Sequence, residues 1–239
     1  MSLVLSLFPG IGMLDMAFEE AGYCVVRGPD LLWGGEIRLF HPPPGVFAGV
    51  IGGPPCQAFS RLRHLVEHNG YRIAENLIPE FARVVREATP TWWLMENVPQ
   101  APDPDCGPSR RQILEDAWVG GATTRRRAFV YGGHRYERFE IVTLALHRPD
   151  PEYPVLAAGG AVPEPVGSTG QRRNAAASLG YKTHAYYQLA CAHSGLPADF
   201  LADAPFTIAG KIQCVGNGVP LAMGRAVARA VRACNEESA

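Results

Sequence analysis

Lysine is scarce in this 239-residue chain, because 20 of its 22 basic residues are arginine. Arginine suits bidentate contacts with phosphates and base edges better than lysine does, although a GC-rich genome, which favours arginine codons, explains the same excess. The net charge of −1 does not indicate a nucleic-acid-binding protein. The charge balance is −5 over residues 1–109 and +4 over residues 110–182, so the basic part of the molecule lies in its middle.

Other absences narrow the class of protein. The six cysteines include no Cys-x-x-Cys pair, which argues against a zinc site and against a secreted disulfide framework. The sequence has no run of about 18 apolar residues and no basic region followed by a signal-type apolar stretch. We therefore expect a cytoplasmic protein, bacterial or viral in a bacterial host, with no membrane or metal partner. A hydrophobic fraction of 47% and a charged fraction of 19% fit one folded domain.

Short apolar segments alternate with helical patterns along the chain. Strands are predicted at 3–8, 23–26, 46–51, 91–95, 128–131 and 138–146, and helices at 13–21, 76–88, 185–194 and 221–234. This alternation predicts an α/β fold with a doubly wound parallel sheet. Ligands of such sheets bind at the carboxyl ends of the strands, where the glycine, proline and polar clusters fall. Residues 147–183 are rich in proline, glycine, alanine and serine and are predicted to form a long surface loop.

A glycine turn, Phe8-Pro9-Gly10-Ile11-Gly12, follows the first strand. Its two glycines allow backbone to approach a ligand at the amino terminus of a helix. The spacing does not match the dinucleotide fingerprint, and an ordinary tight turn explains the sequence equally well. Asp30, at the end of the next strand, is able to accept hydrogen bonds from ribose hydroxyls, which favours an adenosine-type cofactor.

Cys56 lies in an unusual loop, Gly52-Gly-Pro-Pro-Cys-Gln57. Most cysteines are small buried hydrophobic residues, but two glycines and two prolines form a rigid loop that presents the thiol as a nucleophile requires. Glu96 follows another strand, next to Asn97 and Pro99. It has an ordinary interpretation as a helix cap or solvated acid, but the end of a parallel strand places it in the same cleft as Cys56.

Five segments together resemble the cytosine C5 methyltransferases that use S-adenosylmethionine (AdoMet). They are Ser6-Leu-Phe-Pro-Gly-Ile-Gly12, Gly52-Gly-Pro-Pro-Cys-Gln-Ala-Phe-Ser60, Glu96-Asn-Val98, Arg125-Arg-Arg-Ala-Phe129 and Gly216-Asn-Gly-Val-Pro220. The resemblance implies a Rossmann-like AdoMet-dependent methyltransferase sheet with a very small target-recognition insertion. It divides the chain into a catalytic domain (1–141), a reduced target-recognition segment (142–186) and a segment that returns to the catalytic domain (187–239).

The resemblance also implies a reaction. Cys56 would add its thiolate to C6 of a flipped-out cytosine in double-stranded DNA, which allows C5 to accept the methyl group. Glu96 would stabilise the ring at N3 by hydrogen bonding or proton transfer, and Arg125 and Arg127 would steady the base and the active-site loop. The cofactor product would be S-adenosyl-L-homocysteine (AdoHcy), and the enzyme is expected to act as a monomer.

Binding residues follow by the same match. Those expected to bind the cofactor are Phe8, Gly10, Gly12, Asp30, Glu36, Ile37, Pro54, Asn217 and Val219. Those expected to bind nucleic acid are Gln57, Ser60, Arg148, Arg172, Arg173 and Lys182. Because each specified base needs its own side-chain contact, so short a recognition segment predicts about two to four specified bases.

The sequence departs from the family at four places. The segment Tyr187 to Phe200 resembles the helix that precedes the last motif but lacks that motif's usual arginine and glutamate. Met13 stands where the family usually has a third glycine, and Thr123 stands where a glutamine usually precedes the arginine pair. The stretch between Pro99 and Ile113 is short, which predicts a missing or reshaped strand. These changes leave Cys56 and Glu96 intact, so we expect altered shape rather than altered chemistry.

Three alternatives remain open from the sequence. One branch of the family methylates transfer RNA, and competition with RNA separates that function from DNA methylation. An enzyme of free pyrimidine nucleotides also adds cysteine at C6, but the glycine turn and the arginine-rich middle count against it. A non-catalytic protein that binds AdoMet or DNA is the third alternative, against which the intact Cys56 and Glu96 argue.

Overall fold

A computed structural model describes residues 2–56, 59, 75–144 and 183–236. Its six strands are β1 (Leu3–Leu7), β2 (Cys24–Arg27), β3 (Gly49–Gly52), β4 (Trp92–Asn97), β5 (Ser109–Glu115) and β6 (Arg126–Gly133). Its helices are α1 (Met13–Glu20), α2 (Ile78–Ala88), α3 (His184–His193), α4 (Ile208–Asn217) and α5 (Leu221–Asn235). Short 3₁₀ turns occupy Leu31–Trp33, Ile37–Leu39, Asp116–Val119 and Tyr136–Arg138. None of these helices is long and apolar enough to cross a membrane.

The strands form one sheet in the order β2-β1-β3-β4-β6-β5. Neighbours from β2 to β4 are parallel, whereas β6 is antiparallel to both β4 and β5. Among the described strands, β6 alone is therefore reversed, and the sheet is mixed rather than wholly parallel. Because of this reversal, the amino end of β6 lies at the same edge as the carboxyl ends of β1, β3 and β4. Asn97 at the end of β4 pairs with Ala128 near the start of β6.

Helices cover both faces of the sheet. Phe18 of α1 and Val227 of α5 belong to a buried cluster on one face, and Phe81 and Val84 of α2 belong to the cluster on the other. These side chains recur at helical spacing, so burial of one apolar stripe explains each helix. A third cluster joins α3 and α4 to the start of α1 through residues that include Met13 and Ile212. It holds α4 beside the glycine turn.

Three parts of the chain differ from the predicted elements. The strand predicted at 138–146 is wrong over 138–144, where a 3₁₀ turn leads into irregular chain. Phe139 and Ile141 are buried there without strand pairing, and the Ile141 N–H donates to Gln112 Oε1 instead (2.8 Å). The shortened stretch after Pro99 still leads to a strand, β5, which pairs with β6. The predicted target-recognition segment lies almost wholly outside the described residues, and the domain division stays a prediction.

Candidate active site

A cavity of about 410 Å³ lies at the carboxyl edge of the sheet, between the ends of β1, β3 and β4 and one face of α4. This volume is within the usual range for small-molecule sites. Three of the four predicted catalytic residues and eight of the nine predicted cofactor residues line it. They are Cys56, Glu96, Arg127, Phe8, Gly10, Asp30, Glu36, Ile37, Pro54, Asn217 and Val219. The cavity thus brings together side chains that are far apart in the sequence.

The catalytic candidates come from the ends of β3 and β4 and the start of β6. Glu96 forms an ion pair with Arg127, with Oε1 2.8 Å from Nε and side chains only 11% and 16% exposed. A Cβ atom at Gly53 would stand 3.0 Å from Glu96 Oε2, so the second glycine of the Cys56 loop leaves space for this carboxylate. The reversed direction of β6 is what allows Arg127 to reach the end of β4.

The charge on Cys56 depends on these neighbours. Burial raises the pKa of the Cys56 thiol, the positive charge of Arg127 opposes this rise, the negative charge of Glu96 adds to it, and Arg125 opposes it. The resting group at neutral pH is therefore the thiol. Because the thiolate is the nucleophile, the arginines favour the reactive form and Glu96 opposes it.

Asn97 connects the loop that carries Cys56 to the chain around Glu96. Its buried side chain donates from Nδ2 to the Pro54 carbonyl (3.0 Å), and its Oδ1 accepts from the Val98 N–H (2.8 Å). The first bond joins the Cys56 loop to the end of β4, and the second shapes the chain that follows Glu96. Asn97 thus sets the relative position of Cys56 and Glu96.

Replacing Asn97 by alanine should destabilise the protein by about 1–3 kcal/mol, because the buried Pro54 carbonyl and the partly buried Val98 N–H would lose their partner. For a chain of this size, the melting temperature should fall by roughly 2–12 °C. Methyl transfer should fall as well, because the Cys56 loop loses its connection to β4. Asn235→Ala is the control, since Asn235 also donates two hydrogen bonds but lies at the end of α5. A variant of Asn97 that melts and reacts like the control would contradict this role.

Arg125 has a different position from Arg127. It does not line the cavity but is buried, and it donates from Nη1 to the Gly216 carbonyl (2.6 Å) and from Nη2 to the Asn217 carbonyl (3.5 Å). Burial and the nearby Arg127 lower its pKa to about 9, which leaves the guanidinium charged at neutral pH. A cation at the carboxyl end of α4 is favoured by the helix dipole. Arg125 therefore joins the carboxyl end of α4 to the amino end of β6.

The glycine turn is held open by Asp30. The Gly10 N–H donates to Asp30 Oδ2 (2.8 Å) and the Leu32 N–H donates to Oδ1 (2.7 Å). Trp33 Nε1 donates to the Gly10 carbonyl (2.6 Å) and the Phe8 N–H donates to the Pro29 carbonyl (3.3 Å), so three hydrogen bonds join the turn to the loop after β2. Phe8 has φ +55, a strained conformation for a bulky residue, and a Cβ atom at Gly10 would meet nothing within 4 Å. Each Asp30 oxygen retains capacity to accept a further hydrogen bond.

Gly12 and Met13 explain how the turn departs from the usual sequence. Gly12 does not line the cavity, and a Cβ atom there would overlap the Arg27 guanidinium. Met13 is buried and lines the cavity, and its sulfur occupies the place where a Cβ atom of Gly218 would stand. The Met13 side chain, which replaces the usual third glycine, thus fits because Gly218, near the other end of the chain, has no side chain. Cofactor binding by Gly12 stays a prediction.

Some predicted site residues are not among the residues that the structure describes, and some residues of the cavity were not predicted from the sequence. All six residues expected to bind nucleic acid are outside the described residues: Gln57, Ser60, Arg148, Arg172, Arg173 and Lys182. Sequence reasoning missed α4, whose Gln213 and Cys214 line the cavity. A signal for α4 was available, because the Thr207 side chain caps the helix at the Gly210 N–H (3.2 Å) ahead of apolar residues at helical spacing.

Comparison with known proteins gives the family. The profile described as C-5 cytosine-specific DNA methylase matches residues 35–117, which include Cys56 and Glu96. Type II methyltransferase M.HgiGI of Herpetosiphon aurantiacus is 30% identical over 118 residues, which is 41% of this chain and 90% of that protein. The chain belongs to the C-5 cytosine-specific DNA methylase family.

Two other relatives are matched over about half of their own length. Type II methyltransferase M.AquIA of Picosynechococcus is 34% identical over 120 residues, 40% of this chain and 48% of the relative. M.HgiDI of Herpetosiphon aurantiacus is 30% identical over 165 residues, 55% of this chain and 52% of the relative. The chain thus spans about half the length of these curated relatives.

A solved structure supports the fold of this chain. The Entamoeba histolytica methyltransferase EhMeth superposes with a TM-score of 0.65 at 13% identity and covers 99% of each chain. At this identity the likeness concerns the fold alone. It confirms the expected Rossmann-like methyltransferase sheet, and it extends beyond the profile match to the glycine turn and the carboxy-terminal helices.

Proposed function

We propose that this DNA methylase transfers the methyl group of AdoMet to C5 of a flipped-out cytosine in double-stranded DNA, as a monomer with short sequence specificity. The observation that carries the proposal is the shared cavity: Cys56 and the Glu96–Arg127 pair line the same space as the glycine turn and Asp30. A nucleophile and a cofactor site must face each other for direct transfer. Membership of the family supports the cytosine substrate.

The residues of the cavity fit AdoMet. Asp30 offers carboxylate oxygens for ribose hydroxyls, Ile37 provides an apolar wall, and Glu36 lies beside it as an acceptor for the adenine amino group. Gly10 leaves the backbone open to close approach. When bound, AdoMet supplies an electrophilic methyl group on its sulfonium.

The chain's own residues then activate the cytosine. The Cys56 thiolate adds to C6, which moves electron density to C5 and to the N3 side of the ring. Glu96, oriented by Arg127, takes the proton released by the Cys56 thiol and donates it to N3, which stabilises that density, a contribution of about 10²- to 10⁴-fold. C5 then accepts the methyl group and loses its proton to solvent, and the C6–sulfur bond breaks to return the thiolate and 5-methylcytosine. Flipping the base out of a duplex costs a few kcal/mol, which binding must offset.

The direct test uses AdoMet labelled in its methyl group, with unmethylated duplex DNA and with RNA as parallel acceptors. Digestion should recover the label in 5-methyldeoxycytidine. Label in RNA alone would retain the chemistry but replace the substrate with RNA. Absence of label with cofactor binding intact would indicate a binding protein.

Cofactor binding should protect Cys214 from alkylation. Cys214 is half-buried in the cavity wall, and burial together with the nearby Asp30 raises the pKa of its thiol, so the reaction should be followed above pH 8. AdoHcy at saturation should slow its modification by N-ethylmaleimide at least about tenfold, as peptide mapping by mass spectrometry would show. Cys24 is exposed on β2 and should react equally with and without AdoHcy. Equal protection of both thiols, or of neither, would argue against this cavity as the cofactor site.

A further inference from the structure

One face of α4 lines the cavity. Gly210, Gln213, Cys214 and Asn217 follow the i, i+3, i+4, i+7 spacing of a single helical face, and all four border the cavity. The sequence match assigned only Asn217 to the cofactor. The rest of this face has no assigned role.

Gln213 carries an available carboxamide on this face. Its side chain is exposed and, among the residues that the structure describes, forms no hydrogen bond. Asp30 accepts from Gly10 and Leu32 and Glu36 accepts from Arg38, so these two carboxylates offer a ligand only their remaining acceptor capacity and no donor. Gln213 is therefore a polar group in the cavity wall whose donors and acceptor are left for a ligand.

The ends of α4 locate Gln213 along the cavity. The carboxyl end of the helix is followed by Gly218, which contacts Met13 at the glycine turn. The amino end follows Phe206, whose ring stacks at a tilt on Trp33, with centroids 5.6 Å apart. Asp30 lies between the same two contacts, because it accepts from Gly10 of the glycine turn and caps the 3₁₀ turn that carries Trp33. Gln213, midway along α4 and in the wall of the same cavity, is thus at the level of Asp30 rather than at either end of the cavity.

We propose that Gln213 is a cofactor-binding residue that holds the ribose of the adenosyl group from α4 while Asp30 holds it from the loop after β2. The inference rests on the proposed function, since it requires that the cavity take AdoMet. Each ribose hydroxyl both donates and accepts a hydrogen bond, whereas an ionised carboxylate only accepts. A carboxamide supplies the donor that Asp30 lacks, so the two side chains together satisfy the hydroxyls.

Calorimetric binding of two ligands tests the assignment. AdoHcy contains the whole cofactor skeleton, and 5′-methylthioadenosine retains adenine and ribose but lacks the amino-acid end. Gln213→Ala should weaken both ligands by the same factor, about 3- to 10-fold for one lost hydrogen bond. Gln213→Met keeps the length of the side chain without its hydrogen-bonding groups, and should be as weak as the alanine variant. Melting temperatures should stay at the wild-type value, because Gln213 forms no bond among the described residues.

The outcomes separate this inference from the proposed function. Arg229→Ala, an exposed change on α5 away from the cavity, should bind both ligands like the wild type. A loss for AdoHcy alone would place Gln213 at the amino-acid end and overturn its role at the ribose. Unchanged affinity for both ligands, or full affinity in Gln213→Met, would overturn hydrogen bonding by Gln213. A wild-type protein that binds neither ligand would overturn the proposed cofactor itself.

Discussion

Replacing Cys56 by alanine should abolish methyl transfer to DNA, with a loss of at least ~10⁴-fold in rate, while AdoHcy still binds. Without the thiolate no covalent bond forms at C6, so C5 does not become nucleophilic. Affinity for AdoHcy should persist because the glycine turn and Asp30 do not depend on this side chain. The measurement is labelled methyl incorporation beside calorimetric titration of AdoHcy.

A covalent trap distinguishes loss of the nucleophile from loss of folding. In DNA that carries 5-fluorocytosine, the fluorine at C5 is unable to leave as a cation, so the wild-type protein should remain bonded to the DNA. The mass of the trapped species should equal protein plus oligonucleotide plus one methyl group, less the hydrogen that the Cys56 thiol loses, and Cys56→Ala should give none. Cys24→Ala, at an exposed thiol on β2, is the control and should react as the wild type does. Transfer that persists in Cys56→Ala would overturn the covalent route.

The position of the two candidate catalytic residues was predictable because it follows from chain topology. Cys56 lies in the loop after β3 and Glu96 lies near the carboxyl end of β4, and parallel strands that end at one edge bring such residues together. The structure shows both lining one cavity, as the sequence implied. Asp30 was predictable for the same reason, from its place after β2. Local sequence suffices where a ligand-facing residue is a polar group at or shortly after the carboxyl end of a strand.

The contacts that complete the cavity were not predictable, because they join distant parts of the chain. Arg125 bonds the Gly216 carbonyl across 91 positions of sequence, and Met13 fills the space above Gly218. Neither contact leaves a periodic pattern, since each depends on how α4 packs on the sheet. The direction of β6 was not predictable either, because an apolar run predicts a strand but not its orientation in the sheet. The position of Gln213 in the cavity wall follows only from the structure, because it depends on how α4 packs on the sheet.

Replacing Glu96 by glutamine should change two properties of the site in opposite directions. Methyl transfer should fall by about 10²- to 10⁴-fold, because the acidic group that stabilises N3 is lost. Alkylation of Cys56 by iodoacetamide at neutral pH, in the absence of DNA, should become faster. The negative charge of Glu96 raises the pKa of Cys56, and its removal leaves Arg127 without its ion-pair partner near the thiol. Both changes lower the pKa of Cys56 and increase the thiolate fraction at neutral pH.

The alkylation rate, followed by mass spectrometry as a function of pH, should therefore give a curve displaced to lower pH in Glu96→Gln. Glu87→Gln on α2 serves as the control, since Glu87 pairs with Arg83 on α2 rather than at the cavity and should leave both measurements unchanged. A variant that only unfolds the active site would expose Cys56 and also speed its alkylation, but it would lower the melting temperature. A displaced curve at an unchanged melting temperature separates the electrostatic effect from disorder. An unchanged curve would mean that the charge of Glu96 does not affect the pKa of the Cys56 thiol. That result would contradict a shared active site in which the two side chains interact.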